Sequence, residues 1–187
     1  VRDLETVWVY SPTKEHRESF AGQMDRSLDA SVAAVASAAA AIEGADIVVT
    51  ATSASEPVFD GDALEPGTHV TAMGQYDPAK RELDTRTIQR ATYVPDLKKR
   101  ALQDAGSFLH ALEAGVIDED HIHGELGDVV AGTVPGRQSA EEITLFDSGG
   151  TGIETVAAAT LLYENAREEG LGQTIDFSPG SEALTGE

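Results

Sequence analysis

Asp46-Ile47-Val48-Val49-Thr50-Ala51-Thr52 is a continuous apolar run closed at both ends by small or polar residues, the pattern of a strand buried on both faces. Thr68 to Met73 has the same character and follows the turn Glu65-Pro66-Gly67. Shorter β-rich runs lie at Val7 to Tyr10, stopped by Ser11-Pro12, at Tyr93-Val94-Pro95 and at Ile143 to Phe146. Helical stretches separate them. Thr13 caps a segment to about Met24 with Phe20 and Met24 paired at i, i+4, and Ser37 caps Ala38 to Glu43 ahead of Gly44. Asp84 to Arg90 reads as a short helix, and a helix from Leu97 to Gly115 carries Ala101, Leu102, Phe108, Leu109 and Leu112 on one stripe. Gly124 to Ala131 is a further segment, and an Ala-rich helix runs from about Gly152 to Glu169. Ser31 to Ala36 fits a strand or a helix equally. Strands alternating with helices at this pitch predict a parallel, doubly wound α/β sheet.

Charge and composition remove whole classes of function. Lys plus Arg number 13 against 33 Asp plus Glu, a formal net charge of -20, so no basic stripe exists for nucleic acid. The acids are spread along the chain and Lys occurs only at Lys14, Lys80, Lys98 and Lys99. A dispersed acidic excess repels itself unless salt screens it, which predicts a salt-loving cytoplasm. With no Cys there are no disulfides, thiolate metal sites or cysteine nucleophiles. No apolar run approaches the roughly 20 residues of a membrane span, and no signal-peptide pattern is present, so a cytoplasmic protein with no membrane partner is expected. His121-x-His123 beside Asp118, Glu119 and Asp120 reads as a solvated acidic turn rather than a metal site, and Asp60 and Asp62 as turn residues. No elbow motif supports a Ser/His/Asp triad.

The two secure strands end in Thr50-Ala51-Thr52-Ser53 and Ala72-Met73-Gly74. Small and hydroxyl-bearing residues thus fall at the carboxyl edge of a parallel sheet, where open α/β sheets bind their ligands, and the pair favours a dinucleotide site.

Two blocks carry a resemblance. One runs Ala45-Asp46-Ile47-Val48-Val49-Thr50-Ala51-Thr52-Ser53, then Gly67 to Gly74, then Pro78-Ala79-Lys80-Arg81-Glu82-Leu83-Asp84. The other runs Gly124-Glu125-Leu126-Gly127-Asp128, then Gly136-Arg137, then Ile143-Thr144-Leu145-Phe146-Asp147-Ser148-Gly149-Gly150-Thr151-Gly152. In order and spacing both resemble the ornithine cyclodeaminase and mu-crystallin family, from Val7 to about Gly172. The resemblance implies a nicotinamide dinucleotide, NAD or NADP, used on small amino or imino acids by a homodimer. It further implies that Thr52 touches the cofactor, that Val70, Thr71, Ala72 and Met73 line its nicotinamide half, and that Lys80 reaches its ribose region. Ser148 matches the residue that closes over the nicotinamide, and Gly149 a substrate-contacting position.

Departures from the family pattern sharpen these expectations. The family's Gly-rich phosphate turn and the first strand of its nucleotide unit would lie before Val1, as would the residues that grip the substrate carboxylate. The chain therefore resembles the carboxyl-terminal two thirds of such an enzyme, and it is expected to be inactive alone. Residues 1–140 are assigned to a partial Rossmann-like domain, 141–172 to a returning segment of a substrate and dimerisation domain, and 173–187 to a loose tail. Members that cyclise ornithine carry an Asp two residues before Pro78, where this chain has Tyr76, with Asp77 one step later. A phenol, with an ordinary pKa of about 10, is a poor base near neutrality unless a cation such as Lys80 assists it. In extended chain, Tyr76 and Asp77 also point to opposite faces. Imino acid reduction is therefore expected over ornithine cyclisation, with Tyr76 and Asp77 the candidate acid or base groups.

At the end of the first strand, where an acidic residue would bind the ribose hydroxyls of NAD, stands Ser11, with Lys14, His16 and Arg17 following. This slightly favours NADP. The expected function is a fragment of a ketimine or cyclic imino acid reductase or an alanine-type dehydrogenase. The alternative is a mu-crystallin-like protein that holds cofactor or a small ligand without turnover. A generic hydroxy-acid dehydrogenase would need a catalytic His on a late loop, and His110, His121 and His123 lack that context.

Overall fold

The computed structural model describes residues 2–175. Two compact units part between Gly149 and Gly150. The first carries every strand of the described residues. β1 (Thr6–Val9) pairs in parallel with β2 (Ser31–Ala34), Val7 facing Val32. The remaining strands form a parallel sheet in the order β3 (Ile47–Thr50), β4 (His69–Ala72), β6 (Thr144–Asp147), β5 (Thr92–Pro95). Among the described residues no strand pairing joins the two sheets.

Helices connect the strands: α1 (Lys14–Asp25), α2 (Ala38–Ile42), α3 (Thr85–Arg90), α4 (Lys98–Asp104), α5 (Gly106–Glu113) and α6 (Leu126–Ala131). Their starts follow side-chain chemistry. Ser37 Oγ accepts from the Ala40 amide at 3.1 Å, and Asp84 Oδ1 accepts from the amide and hydroxyl of Thr87, each at 2.7 Å. Thr13 precedes α1 in extended geometry but makes no such bond, and Phe20 of α1 is exposed, leaving Ala21 as that helix's buried residue.

The sheet register explains the core. Val48, Val70, Leu145 and Tyr93 stand in one line across β3, β4, β6 and β5, all on the face that packs against Ile88 of α3 and Phe108 of α5. Two residues further along, Thr50, Ala72, Asp147 and Pro95 make a second buried line at the carboxyl ends. The strand period of two therefore sends a carboxylate inward beside Leu145.

Two expectations need correction, and one open reading is resolved. β3 is not covered on both faces: Val48 and Thr50 are buried, but Ile47 and Val49 are exposed, the latter by 59%, because β3 is an edge strand whose second face receives no packing among the described residues. The single helix from Leu97 is two helices broken at Ala105, which is extended at φ -76° and ψ 92°. The break lets Gly106 donate its amide to the Gln75 carbonyl at 2.9 Å, so the loop after β4 seats in the joint. The ambiguous Ser31 segment is strand β2, since Val32 turns inward and its amide bonds Asp25 Oδ1 at 2.9 Å.

The second unit is built on α7 (Gly152–Glu168), started by a capping box in which Thr151 and Glu154 each accept from the other's backbone. Ile153, Val156, Leu161, Leu162 and Tyr163 are exposed on it. No helix of the described residues is long and apolar enough to cross a membrane. Of the segment read as a loose tail, 176–187 lies outside the described residues.

Candidate functional site

Because β3, β4, β5 and β6 all run parallel, their carboxyl ends meet along one edge. Glu82, fully buried, organises that edge. Its carboxylate accepts from Thr50 Oγ1 at 2.9 Å, from the Gly74 amide at 2.7 Å and from the Thr52 amide, tying the loops after β3 and β4 together. The approach is close enough to require glycine: a Cβ on Gly74 would lie 2.1 Å from the Thr52 carbonyl oxygen and 2.5 Å from Glu82 Oε1. On the other side of the same loop, a Cβ on Gly106 would lie 1.8 Å from the Lys80 carbonyl oxygen. Lys80 Nζ donates to the Ser53 carbonyl at 3.0 Å, which sets its ammonium beside the loop after β3.

A second buried cluster surrounds Asp147. Tyr93 Oη and Gln75 Nε2 both donate to its Oδ2, the latter at 2.8 Å. Burial pushes the Asp147 carboxyl up to about 6 against the lowering effect of these two bonds, and the nearby Asp96 and Glu82 charges add to the rise. Burial, with Asp147 second, holds the Tyr93 phenol well above its ordinary range. Asp96 is also buried; its Oδ1 accepts from the Leu97 amide at 2.8 Å and its Oδ2 has no protein partner. Asp96, Asp147, Pro95, Arg100, Tyr76 and Gly149 line a cavity of about 10 Å³, the space of a single water-sized group.

The fold brings some of the expected site residues together and separates others. Tyr76, 58% exposed, and Gly149 meet at this cavity. The Ser148 amide donates to the Ala72 carbonyl at 2.9 Å, which sets Ser148 at the end of β4 near Met73, an exposed side chain just past the strand. Thr52 and Lys80 lie on the adjoining loops, both tied into the Glu82 edge. Val70 and Ala72 have no exposed surface, because the strand period turns them into the core, so their side chains line nothing outside it. Thr71 faces the opposite side of the sheet, where its hydroxyl lies 3.3 Å from His69 Nε2. Asp77 is withdrawn from the cavity; its Oδ1 accepts from the Ala79 amide at 2.8 Å and so closes the local turn. Ser11 ends β1 on the separate ribbon, where its carbonyl accepts from Arg17 at 2.8 Å. Arg17 also lies over the Tyr10 ring, 5.7 Å from its centroid.

Sequence reading missed Gln75, Glu82, Tyr93, Asp96 and Asp147 as a buried polar layer. Asp147 had a signal, since it follows inward-facing Leu145 by two. Glu82 had none, as it belongs to a loop without a period. The ring nitrogens of His121 and His123 bond the carbonyls of Ile88 and Pro135 at 2.7 and 2.8 Å, and no cluster of three or more metal-ligating side chains occurs among the described residues.

Comparison with known proteins places this edge in context. Delta(1)-pyrroline-2-carboxylate reductase of Bacillus cereus is 38% identical over 178 residues, covering 95% of this chain and 54% of the relative. The solved Delta(1)-pyrroline-2-carboxylate reductase of Thermococcus litoralis, in complex with NADH and L-proline, is 39% identical with a TM-score of 0.87, over 94% of this chain and 54% of that one. An archaeal alanine dehydrogenase dimer with bound NAD is 34% identical with a TM-score of 0.83, over 95% and 54%. The chain thus spans about half the length of the relatives it matches. The family described as ornithine cyclodeaminase/mu-crystallin matches residues 1–170. With its parallel sheet, its glycine-dependent carboxyl edge and this match over nearly its whole length, the chain belongs to the ornithine cyclodeaminase/mu-crystallin family.

Proposed function

We propose that this chain is the larger part of the nucleotide-binding half of a nicotinamide-dependent oxidoreductase that reduces a small cyclic imino acid, with alanine-type dehydrogenation the next reading. The observation that carries it is the placement of Lys80, Ser148, Gly149 and Tyr76 on the loops at the carboxyl edge of four parallel strands, with Tyr76 and Gly149 lining one cavity there. The edge offers a dinucleotide one cation, Lys80, beside the loop after β3, while Gly74 lets that loop and the one after β4 pack closely on Glu82. When bound, the cofactor supplies the hydride. Thr52, Lys80, Met73 and Ser148 hold and orient it, Gly149 keeps the substrate side open, and Tyr76 hydrogen-bonds the substrate and passes one proton to it. A single proton suffices for imine reduction, whereas ornithine cyclisation requires repeated transfers, so proline formation from ornithine should lag.

The chain's coverage of about half the length of its relatives supports a further segment in the complete protein that supplies the phosphate-binding turn. The dimeric alanine dehydrogenase relative and the exposed apolar residues of α7 support a homodimer. At the end of β1, Ser11 in place of an acid and Arg17 bound to its carbonyl favour the 2′-phosphate of NADP(H), although the two solved relatives hold NADH and NAD. The exposed Tyr76 gives the alternative of binding without turnover its own support.

Fluorescence titration of the complete protein with NADPH and NADH, followed by turnover on Delta(1)-pyrroline-2-carboxylate, tests the reading. NADPH should bind about tenfold tighter, an advantage that Arg17→Ala removes, and Tyr76→Phe should lower turnover without weakening cofactor binding. The isolated chain should bind either cofactor weakly. Cofactor binding without turnover on imino acids or alanine selects the binding-protein reading.

A further inference from the structure

The cavity at the ends of β5 and β6 is lined by three acidic residues, Asp96, Asp104 and Asp147, and by one cationic residue, Arg100. Asp96 is 6% exposed and its Oδ2 has no protein partner, although it lines the cavity. Asp147 lines the same space, and the donors to it from Tyr93 and Gln75 both use Oδ2, leaving Oδ1 without a donated protein bond. The Asp96 amide bonds the Asp147 carbonyl at 3.2 Å, so the two residues are adjacent across the strands. The one cationic side chain of the lining, Arg100, has its Nε 2.7 Å from Oδ2 of Asp104, a third acidic residue of the same lining, and makes no hydrogen bond to Asp96 or Asp147. Two buried carboxylates side by side repel unless a cation or N–H donor lies between them. A divalent metal is poorly served, because no cluster of three or more ligating side chains exists among the described residues. The space admits one water-sized group, the size of a tetrahedral ammonium nitrogen that donates along several directions.

We propose that Asp96 and Asp147 form a binding site for an ammonium-type nitrogen at the carboxyl edge, beside Tyr76 and Gly149. Binding of the cation stands on the geometry of the cavity; its meaning, as the place where the nitrogen of the amino acid or free ammonia is held during reaction, rests on the oxidoreductase reading. The site would make Asp96 a specificity-determining residue, since an oxygen-bearing hydroxy acid or keto acid presents no cation to it.

Thermal melting of the chain at pH 8 tests this without cofactor. Ammonium chloride, potassium chloride and tetramethylammonium chloride are compared at matched ionic strength. Ammonium at about ten times its half-saturating concentration should raise the melting temperature by about 3 °C over potassium, saturably, with tetramethylammonium giving no gain over potassium. Asp96→Asn keeps the bond to the Leu97 amide and should abolish the ammonium-specific gain. Gly149→Ala places a methyl 3.5 and 3.6 Å from the two Asp96 carboxylate oxygens and should weaken it, which serves if Asp96→Asn does not fold. Millimolar L-alanine forms a further arm: an Asp96-dependent shift with the amino acid assigns the nitrogen to its amine, and one with ammonium alone assigns it to free ammonia. Equal shifts in potassium and ammonium, or an ammonium shift that survives both substitutions, overturn the proposal. Failure of NADPH and NADH to bind the complete protein, with the ammonium shift intact, removes the oxidoreductase reading and leaves the cation site standing.

Discussion

The four-stranded sheet and the β1-β2 ribbon are made of strands of equal length, four residues each, yet they are held in different ways. In the sheet, two lines of side chains cross all four strands out of contact with water, and the second line is locked by buried carboxylates that bond the loops beyond it. In the ribbon and its helix α1, only Ala21 and Val32 are buried, while Trp8, Phe20 and Leu28 are exposed. The proposed reacting end is thus fixed by the chain's own core. The end proposed to read the ribose has no comparable core of its own. Stability need not be uniform, and the contrast predicts which substitutions unfold the domain and which loosen only a part of it.

Glu82→Ala should be the most damaging change. It removes a fully buried acceptor from three donors, two of them backbone amides, and should cost about 4 kcal/mol in urea unfolding, with Glu82→Gln costing about half of that. A loss below about 1 kcal/mol for Glu82→Ala would mean that the edge is not held by this carboxylate, and the contrast with the ribbon would collapse. Gly106→Ala comes next, at about 3 kcal/mol, because its methyl would overlap the Lys80 carbonyl oxygen and the loop from Gln75 to Lys80 would have to move. The same variant should weaken cofactor binding by the complete protein through displacement of Lys80.

Much of the sheet was legible because its signals are local. Ser37 and Asp84 cap the helices that their residue types announce, and the apolar runs at Val48 and Val70 are strands. What could not be read is set by contacts distant in the chain. The exposed face of β3 depends on its place at the edge of the sheet, and the break at Ala105 depends on a loop some 30 residues earlier that needs the Gly106 amide. For the site, motif resemblance named Tyr76, Lys80, Ser148 and Gly149, which the fold sets on loops at the carboxyl edge, and also Val70 and Ala72, whose inward parity buries their side chains. The buried layer of Glu82, Asp96 and Asp147 eluded reading because buried carboxylates are recognisable only from their donors.

Asp147→Asn should have the opposite sign to the two substitutions above. Its carboxyl has an ordinary pKa of 3.8 and rises to about 6 in the folded chain, so the native state binds the proton more tightly than the unfolded one. The stability it contributes is fully present below pH 3.8 and is lost as the pH rises to about 6. At pH 8 the buried charge is a net cost, which the amide removes while its oxygen still accepts from Tyr93 and Gln75. A gain of about 1.5 kcal/mol at pH 8, fading towards pH 4, is the expected outcome. A variant less stable than the parent at pH 8 would show that the carboxylate is compensated in the native state by more than its two hydrogen bonds.

Val32→Ala should give the smallest effect and the most local one. Val32 is buried, but it belongs to no part of the main core, whose members begin at Ile42. Losing two methyl groups there should cost about 1 kcal/mol of local packing. If the ribbon opens independently of the sheet, that cost falls on its opening equilibrium alone. Amide hydrogen exchange in β1 and β2 should then speed up about fivefold, the factor that corresponds to 1 kcal/mol, while β4 and β6 keep their rates and the urea midpoint barely moves. Exchange that accelerates equally in both sheets would mean that the ribbon and the sheet unfold as one cooperative unit. In that case the weak packing at Ala21 and Val32 would reflect strands that draw their stability from the whole domain, and the end proposed to read the ribose would be as firmly placed as the edge that holds Lys80.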